Sequence, residues 1–288
     1  MRVAVAARRE DRLGALAAEL SAEGAEVLAQ PADLRDERSI ERLFEAVRAR
    51  FGGVDVLVND AGLGHAAPLT SGETELWREM LEVNVLALCI CTREAVRDMR
   101  ARGDDGHVIH VSSMAAHRVP PGSGVYSATK YAVRSLTEGL RQELRELGSR
   151  VRVTAISPGF VETEFAARYH KSEEAARETY SRHRVLEDAD VAESIAWVLS
   201  APPHAGARRP DAPDRAAELS PGRCHQKASF TRSGAASPSG SSTEKEPRTS
   251  EWKARTRPLD PASGSSASTR PSSQSSRCSC VSTSKPLA

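Results

Sequence analysis

The chain has 288 residues, a formal net charge of +1, and a composition that is 39% hydrophobic and 4% aromatic. This length allows one large domain or two small ones. No run approaches 18 uninterrupted apolar residues, which argues against a helix that spans a membrane.

Composition divides the chain near Pro203. Residues 1–203 carry apolar side chains at helical or strand spacing, which predicts a folded domain, whereas residues 204–288 are rich in Ser, Pro and Arg, which predicts a disordered tail. The tail holds 14 Lys/Arg against 7 Asp/Glu, and the domain holds 26 against 32. Because the tail's charges are isolated and few aromatic side chains accompany them, the sequence argues against nucleic-acid binding.

The number and spacing of the cysteines argue for a reducing location and against a metal site. There are five of them, an odd number, and no leader-like segment precedes the domain, so we expect a reducing, cytoplasmic location. Cys89 and Cys91 are two positions apart on a predicted helix and therefore face different directions. Cys278 and Cys280 lack further partners at zinc spacing. The sequence thus predicts no metal site.

Within the domain, short apolar strands alternate with longer amphipathic helices. The predicted strands are 2–7, 26–29, 54–58, 108–111 and 151–156. The predicted helices are 13–20, 40–51, 74–99, 126–147 and 188–199, and Asp36 is expected to cap the second. This alternation predicts an α/β fold with a doubly wound parallel sheet, in which ligands bind beyond the carboxyl ends of the strands.

Three side chains near that edge suggest carbonyl chemistry. Tyr126 and Lys130 are four positions apart on one helix and so share a face, while Ser113 follows an apolar strand. A tyrosine hydroxyl has a pKa near 10, which an adjacent ammonium lowers. Ser113 could then hold a carbonyl oxygen while Tyr126 gives it a proton as hydride arrives. Taken alone, Tyr126 and Lys130 could equally be two exposed neighbours on the surface of a helix.

Four motifs together resemble the short-chain dehydrogenase/reductase family, whose members are single-domain Rossmann oxidoreductases that use NAD or NADP. The resemblance covers about residues 1–203. It implies that Asn84 is a fourth catalytic residue, which orders a water beside Lys130, and that Lys130 also holds the nicotinamide ribose. The alternative for Asn84 is a polar helix residue that bonds its neighbours. The motifs are Asn59-Asp-Ala-Gly62, Ser112-Ser-Met114, Tyr126-Ser-Ala-Thr-Lys130 and Pro158-Gly159.

The resemblance also implies a cofactor site. Arg8 and Arg9 end the first strand, where NAD-preferring relatives carry an acid, so arginines there favour the 2'-phosphate of NADP. Their alternative is a pair of solvated charges at a helix entry. Asp60 replaces the family's second Asn in the Asn-Asn-Ala-Gly turn, which loses an amide donor. Further residues implied to contact the cofactor are Asp33, Leu34, Asn59, Ala61, Gly62, Tyr126, Lys130, Pro158, Gly159, Val161 and Thr163.

Substrate and partners are implied less directly. Residues 84–88, 91–95, 117–119 and 136–144 resemble a group of NADPH-dependent reductases of ketosteroids and other hydrophobic carbonyls. This implies a small hydrophobic ketone or alcohol as substrate. The family also pairs subunits through the two long helices, which implies a homo-oligomer or a hetero-oligomer.

The chain departs from the family at both ends. Family members open with a strand and Thr-Gly-x-x-x-Gly-x-Gly, whose glycines approach the pyrophosphate, and neither is present. Because that strand is central, we expect a sheet that is open at its centre and that also lacks the family's last strand. Two functions stay open: an NADP(H)-dependent oxidoreductase, and a non-catalytic chain that oligomerises with a full-length family member.

Overall fold

The computed structural model describes residues 1–182 and 184–202, and the backbone of residues 278–281. Its strands are β1 (Arg2–Ala7), β2 (Glu26–Pro31), β3 (Val56–Asn59), β4 (His107–Val111), β5 (Arg152–Ile156) and β6 (Cys278–Val281). Its α-helices are α1 (Glu10–Ala22), α2 (Glu37–Phe51), α3 (Thr74–Leu81), α4 (Ala87–Ala101), α5 (Gly124–Glu146), α6 (Glu164–His170), α7 (Glu173–Ser181) and α8 (Asp188–Ser200). The predicted cap of α2 is confirmed, since the Asp36 side chain accepts a hydrogen bond from the amide of Arg38.

The strands form one parallel sheet in the order β2-β1-β6-β3-β4-β5. Side chains alternate along each strand, so each face of the sheet builds its own core. On one face Val3 and Val5 pack with α1, while Val56 and Val58 pack with α8. On the other face Leu57 joins a larger core that α2 and α4 cover. The predicted doubly wound, Rossmann-like α/β fold is confirmed.

The centre of the sheet differs from the sequence expectation. Cys278–Val281 lies between β1 and β3 and pairs in parallel with both, with Cys280 opposite Ala4 on one side and Leu57 on the other. The expectation of an open centre is therefore corrected. The same four residues form a strand within the segment that composition predicts to be a disordered tail, and the rest of residues 204–288 lies outside the described residues. A strand can fill this position because the ladder needs only extended backbone.

The helices show two further differences from the predicted pattern. The predicted helix 74–99 is interrupted by one π-helical turn, Glu82–Leu86, which joins α3 to α4 and contains Asn84. Helices α6 and α7 have no predicted counterpart because each buries a single small residue, Ala166 or Ala176. In the part of the chain that the structure describes, no helix is both long and apolar enough to cross a membrane.

The pairing of β6 generates a stability prediction. Replacing Cys280 by proline removes one backbone N–H from the middle of the sheet, so we expect Cys280→Pro to lower the free energy of unfolding by about 1 to 3 kcal/mol. Cys280→Ala keeps that N–H and serves as the matched control. Urea unfolding followed by circular dichroism measures the difference. Superimposable curves for the two variants would contradict the assignment of this strand to the centre of the sheet.

Candidate active site

Residues implied to form the site gather at the carboxyl ends of three neighbouring strands. Asn59 ends β3, Ser113 lies two residues beyond β4, and Pro158 lies two residues beyond β5. Helix α5 adds Tyr126 and Lys130 to the same edge. The amide of Met114 donates to the carbonyl of Pro158 at 2.9 Å, which ties two of these strand ends together.

Asn84 is held by the π-helical turn with its amide group fully engaged. Its Nδ2 donates to the carbonyl of Leu63 at 2.7 Å and to Thr129 Oγ1 at 3.0 Å, while its Oδ1 accepts from the amide of Leu63 at 2.8 Å. The extra residue of a π turn alters the direction in which side chains leave the helix, and such turns are frequent at functional sites. Asn84 thus fixes the loop that carries Gly62 and Leu63.

Lys130 is a buried cation close to Asn84. Its Nζ donates to the carbonyl of Val111 at 3.0 Å. Burial lowers the pKa of Lys130 to about 8, and the negative charge of Asp60 opposes that shift. A Cβ built on Gly62 would lie 3.4 Å from Lys130 Nζ and 3.5 Å from Asn84 Oδ1. The backbone at Gly62 therefore lies beside both polar groups.

Tyr126 and Ser113 are joined by a hydrogen bond that opposes the main influence on the tyrosine. Burial raises the pKa of Tyr126 to about 12, while the bond to Ser113 acts to lower it. The net shift is therefore upward, and the predicted influence of Lys130, whose ammonium group donates to the carbonyl of Val111, stays a prediction. Tyr126 is accordingly a protonated phenol at neutral pH.

Two aromatic side chains that the sequence interpretation missed lie against Tyr126. The ring centroids of Phe165 and Tyr169, both on α6, are 5.4 Å and 6.2 Å from that of Tyr126. The amide of Ala66 donates to the carbonyl of Tyr169 at 3.2 Å, which attaches the end of α6 to the loop after β3. Helix α6 therefore covers Tyr126 with apolar surface. The isolated aromatic residues gave no sequence signal, because only the fold brings them to the site.

Residues implied to hold the adenosine half divide into two groups. Leu34, Asn59 and Ala61 line a narrow, mainly apolar cavity of about 40 Å³ between the sheet and helices α2 and α4. The Asn59 side chain also donates to Thr92 Oγ1 at 3.0 Å, so it is anchored in the core. Asp33 pairs with Arg35, whose hydrogen bond is the main cause that lowers the pKa of Asp33.

The two arginines at the end of β1 take different positions. Arg8 is exposed, and its charge contributes to the lowered pKa of Asp33. Arg9 turns away from that side and pairs with Glu164, at 3.1 Å between Nη1 and Oε2. Of the implied cofactor residues, Arg9 is therefore engaged by a carboxylate that the sequence interpretation did not consider.

The segment implied to contact the nicotinamide leads directly into α6. Val161 forms a parallel bridge with Leu186, and Thr163 caps α6 by accepting from the amide of Phe165 at 3.2 Å. Gly159 is exposed, and a Cβ built on it would meet nothing within 4 Å. The structure thus brings Pro158 to the edge that carries Ser113. Val161 and Thr163 lie just before α6, and Thr163 caps that helix.

Among the described residues, the structure shows the side chains of two cysteines, Cys89 and Cys91. Cys91 is buried among apolar side chains, which raises the pKa of its thiol to about 12, and Cys89 is half-buried. Within residues 1–182 and 184–202, no group of three or more His, Cys, Asp or Glu side chains is arranged to hold a metal ion.

Comparison with known proteins gives a consistent family. Residues 1–174 match the short chain dehydrogenase family model. The chain is 50% identical over 210 residues to dehydrogenase/reductase SDR family member 11 of Bos taurus, covering 71% of this chain and 82% of that protein. It is 40% identical over 201 residues to farnesol dehydrogenase of Aedes aegypti, covering 68% and 79%. A closed form of serine dehydrogenase complexed with NADP+ superposes with a TM-score of 0.64 and 34% identity, covering 70% and 80%.

The packing of α6 on Tyr126 generates a second prediction. A Cβ on Gly64 would lie 2.8 Å from a Tyr169 ring carbon and 2.9 Å from one of Phe165. We expect Gly64→Ala to force these rings apart and to lower the free energy of unfolding by about 1 to 3 kcal/mol. The control is Gly14→Ala, because Gly14 lies within α1 and has nothing within 4 Å of an added Cβ.

Urea denaturation of both glycine variants provides the measurement. Gly14→Ala should be neutral or slightly stabilising, since alanine is favoured over glycine inside a helix. Equal free energies of unfolding for Gly64→Ala and the unchanged chain would contradict the close packing of α6 against the loop after β3.

Proposed function

This chain belongs to the short-chain dehydrogenase/reductase family of oxidoreductases, and we propose that it interconverts a hydrophobic ketone and its alcohol with NADP(H). The observation that carries the proposal is the convergence of Ser113, Tyr126, Lys130 and Asn84 at the carboxyl edge of one parallel sheet. Such edges are where open α/β sheets bind their ligands. The 50% identity to a dehydrogenase/reductase supports the same reaction class.

The proposed roles follow from the charge of each group. Tyr126 is protonated at neutral pH and can give its proton to a carbonyl oxygen. Ser113, which is hydrogen-bonded to Tyr126, can donate to the same oxygen as negative charge develops on it. The Lys130 ammonium then stabilises the phenolate that is left behind. In the opposite direction the phenolate accepts the proton of an alcohol.

An apolar substrate is favoured by the side chains around Tyr126. Phe165 and Tyr169 cover the tyrosine ring, and Met114, which follows Ser113, is exposed. Burial of apolar substrate against such surfaces contributes binding energy in proportion to the area removed from water. Farnesol, which gives one relative its name, is a hydrophobic alcohol. We therefore propose a ketone or alcohol with a large apolar body, of the ketosteroid or isoprenoid kind.

The residues present fit most parts of a nicotinamide cofactor. Leu34 and Ala61 supply apolar side chains for the adenine side, Arg8 and Arg9 provide cations for a 2'-phosphate although Arg9 is paired with Glu164, and Lys130 is a buried donor for the nicotinamide ribose. When bound, NADPH would supply the hydride. Because one solved relative of 34% identity is complexed with NADP+ and another of 29% identity with NAD, the choice of NADP rests on the arginines at the end of β1.

A second function is favoured by one sequence observation. The chain contains no Thr-Gly-x-x-x-Gly-x-Gly turn, so backbone amides that would bind the pyrophosphate are not supplied in that form. A chain that binds no cofactor could still assemble with an intact family member through its long helices. Leu86 precedes α4 and Tyr131 lies on α5, and both are exposed. The alternative is therefore a non-catalytic partner subunit.

The first test is a titration of NADPH into the purified full chain, followed by nucleotide fluorescence. We expect saturable binding, and reduction of ketosteroid or isoprenoid carbonyls by the complex. Tyr126→Phe should bind NADPH as well as the unchanged chain does but lose activity by a factor of about 100 to 10,000, because proton transfer from a positioned side chain contributes that much.

The test has a control variant and an outcome that would contradict the enzymatic proposal. Ser149→Ala, on the loop that precedes β5, is a control that should alter neither binding nor turnover. If NADPH does not bind, the enzymatic proposal is wrong for this chain. Co-purification with an intact family member on co-expression would then support the partner subunit.

The lowered pKa of Lys130 generates a pH prediction. Because that pKa is about 8, Lys130 is charged below pH 8 and neutral above it, so the turnover number for reduction should fall as the pH rises through about 8. Asp60 favours the charged form of Lys130, so Asp60→Asn should move this fall to lower pH. A turnover number that is constant to pH 10, or an unshifted profile in Asp60→Asn, would contradict the assignment.

A further inference from the structure

A chain of hydrogen bonds between buried side chains runs through the core next to the active-site edge. Asn59 Nδ2 donates to Thr92 Oγ1 at 3.0 Å, and Thr92 Oγ1 lies 3.2 Å from His110 Nε2. On the other side of the ring, His110 Nδ1 lies 2.9 Å from Thr137 Oγ1. All four side chains are buried. The bonds therefore join β3, α4, β4 and α5, the elements that carry or adjoin the residues of the candidate site.

The direction of these bonds follows from the one that ends the chain. Thr137 Oγ1 lies 2.7 Å from the carbonyl of Val133, which can only accept, so the single hydroxyl proton of Thr137 is used there. His110 Nδ1 must therefore carry the proton that it donates to Thr137. Burial is the main cause that lowers the pKa of His110 to about 4, so the ring is uncharged at neutral pH. Its Nε2 then accepts from the hydroxyl of Thr92.

The bond between His110 and Thr137 attaches α5 to β4 without using Lys130. Thr137 and Lys130 are about two helical turns apart and so lie on the same face of α5. Lys130 makes two bonds of its own here, from its Nζ to the carbonyl of Val111 at 3.0 Å and to its carbonyl from Ser112 Oγ at 3.4 Å. Without His110, the attachment of α5 would rely on the lysine whose ammonium the proposed reaction needs.

The other end of the chain of bonds holds the turn that lies beside Lys130. Asn59 begins the segment Asn59-Asp-Ala-Gly62, and a Cβ built on Gly62 would lie 3.4 Å from Lys130 Nζ. Asn59 and His110 are also directly opposite each other in the paired strands β3 and β4. One imidazole thus lies between the helix that carries Lys130 and the turn beside it.

We propose that His110 is a positioning residue, whose two hydrogen bonds hold α5 and the end of β3 at the spacing that places Lys130 for the reaction. The proposal rests on the proposed function, because it takes the Lys130 ammonium as the group that stabilises the tyrosine phenolate. An uncharged imidazole suits this position because it presents a donor and an acceptor on different sides of one rigid ring. A displacement of about 1 Å in a catalytic group can lower a rate by about 100-fold.

Matched threonine variants test the bond to α5. Thr137→Val removes the hydroxyl that accepts from His110 and almost preserves the shape of the side chain. The control is Thr154→Val, which removes the partner of a second buried histidine, since His107 Nε2 lies 2.9 Å from Thr154 Oγ1. His107 is the first residue of β4, at the end of the sheet away from the site. Both variants should lower the midpoint of urea unfolding, but only Thr137→Val should affect Lys130.

The position of Lys130 is measured by its titration, which needs neither cofactor nor substrate. The full chain carries lysine labelled with carbon-13 at Cε, and the Lys130 signal in the NMR spectrum is the one that Lys130→Arg lacks. We expect a midpoint near pH 8 in the unchanged chain and in Thr154→Val. In Thr137→Val the midpoint should rise toward the usual lysine value, because burial is the main cause that lowers the pKa of Lys130.

Steady-state reduction of a ketosteroid with NADPH gives the second measurement. We expect Thr137→Val to lower kcat about 10- to 100-fold and to leave KM within about threefold, because the proposed defect lies in the placement of Lys130 rather than in substrate binding. Thr154→Val should keep both constants. A loss that appears in KM alone would overturn the positioning role.

A second pair of variants serves if Thr137→Val does not fold. His110→Asn and His110→Leu remove similar volumes from the core, but the asparagine amide keeps an N–H near the place of Nδ1. His110→Asn should therefore keep the Lys130 midpoint of the unchanged chain, and His110→Leu should raise it. Equal midpoints in these two variants would overturn the proposal.

The outcomes separate the role of His110 from the proposed function. An unchanged Lys130 midpoint in folded Thr137→Val overturns the positioning role, and so does an equal rise in Thr154→Val, since that rise would reflect a general loosening of the core. If the unchanged chain reduces no carbonyl, the proposed function is wrong. The Lys130 midpoint then still decides whether His110 positions the lysine, because it is measured without a reaction.

Discussion

A buried parallel sheet requires a paired backbone at its centre, and this requirement shapes the whole molecule. The inner edges of β1 and β3 would each present unpaired N–H and C=O groups, and each buried unpaired group costs about 1 to 3 kcal/mol. Cys278–Val281 meets the requirement by pairing with both strands. A segment about 220 residues beyond β3 in the chain therefore joins the two halves of the sheet. The strand thus occupies the central position that was expected to be empty, although it is reached by a different connection.

The active-site edge follows from that continuity. Parallel strands end on the same side of a sheet, so Asn59, Ser113 and Pro158 meet although they are far apart in sequence. The positions of the site residues are then fixed by buried polar groups whose hydrogen bonds are satisfied. Asn84 makes two hydrogen bonds to Leu63, and Lys130 donates to a carbonyl at the end of β4. Because leaving either group unpaired would be costly, their positions are fixed before any ligand arrives.

Local sequence patterns predicted the helices and strands in which apolar residues recur with a clear period. They also predicted the site residues that belong to short motifs. β1 was located at its observed limits, and α5, which carries Tyr126 and Lys130, was located to within two residues of its start. The pattern did not reveal β6, since four residues of a Ser-rich segment are too few to establish a strand period. It also missed the pair between Arg9 and Glu164, because the two are 155 residues apart and only the folded chain brings them together.

The raised pKa of Tyr126 was beyond sequence reasoning for a different reason. The motif shows that an ammonium group is available, but not where it points. In the fold, Lys130 donates to the carbonyl of Val111, while the rings of Phe165 and Tyr169 lie against that of Tyr126. The balance of burial against neighbouring charge is a tertiary property, and burial dominates here.

That balance links the position of α6 to the direction of proton transfer. With α6 against Tyr126, the phenol holds its proton, which suits delivery to a carbonyl and opposes removal of a proton from an alcohol. Withdrawal of α6 would return water to the ring and remove the main cause of the raised pKa. Loss of the proton would then require a smaller rise in pH, and the phenolate needed for alcohol oxidation would become accessible. The contact between α6 and the Tyr126 ring is thus one of the influences on whether the tyrosine acts as acid or base.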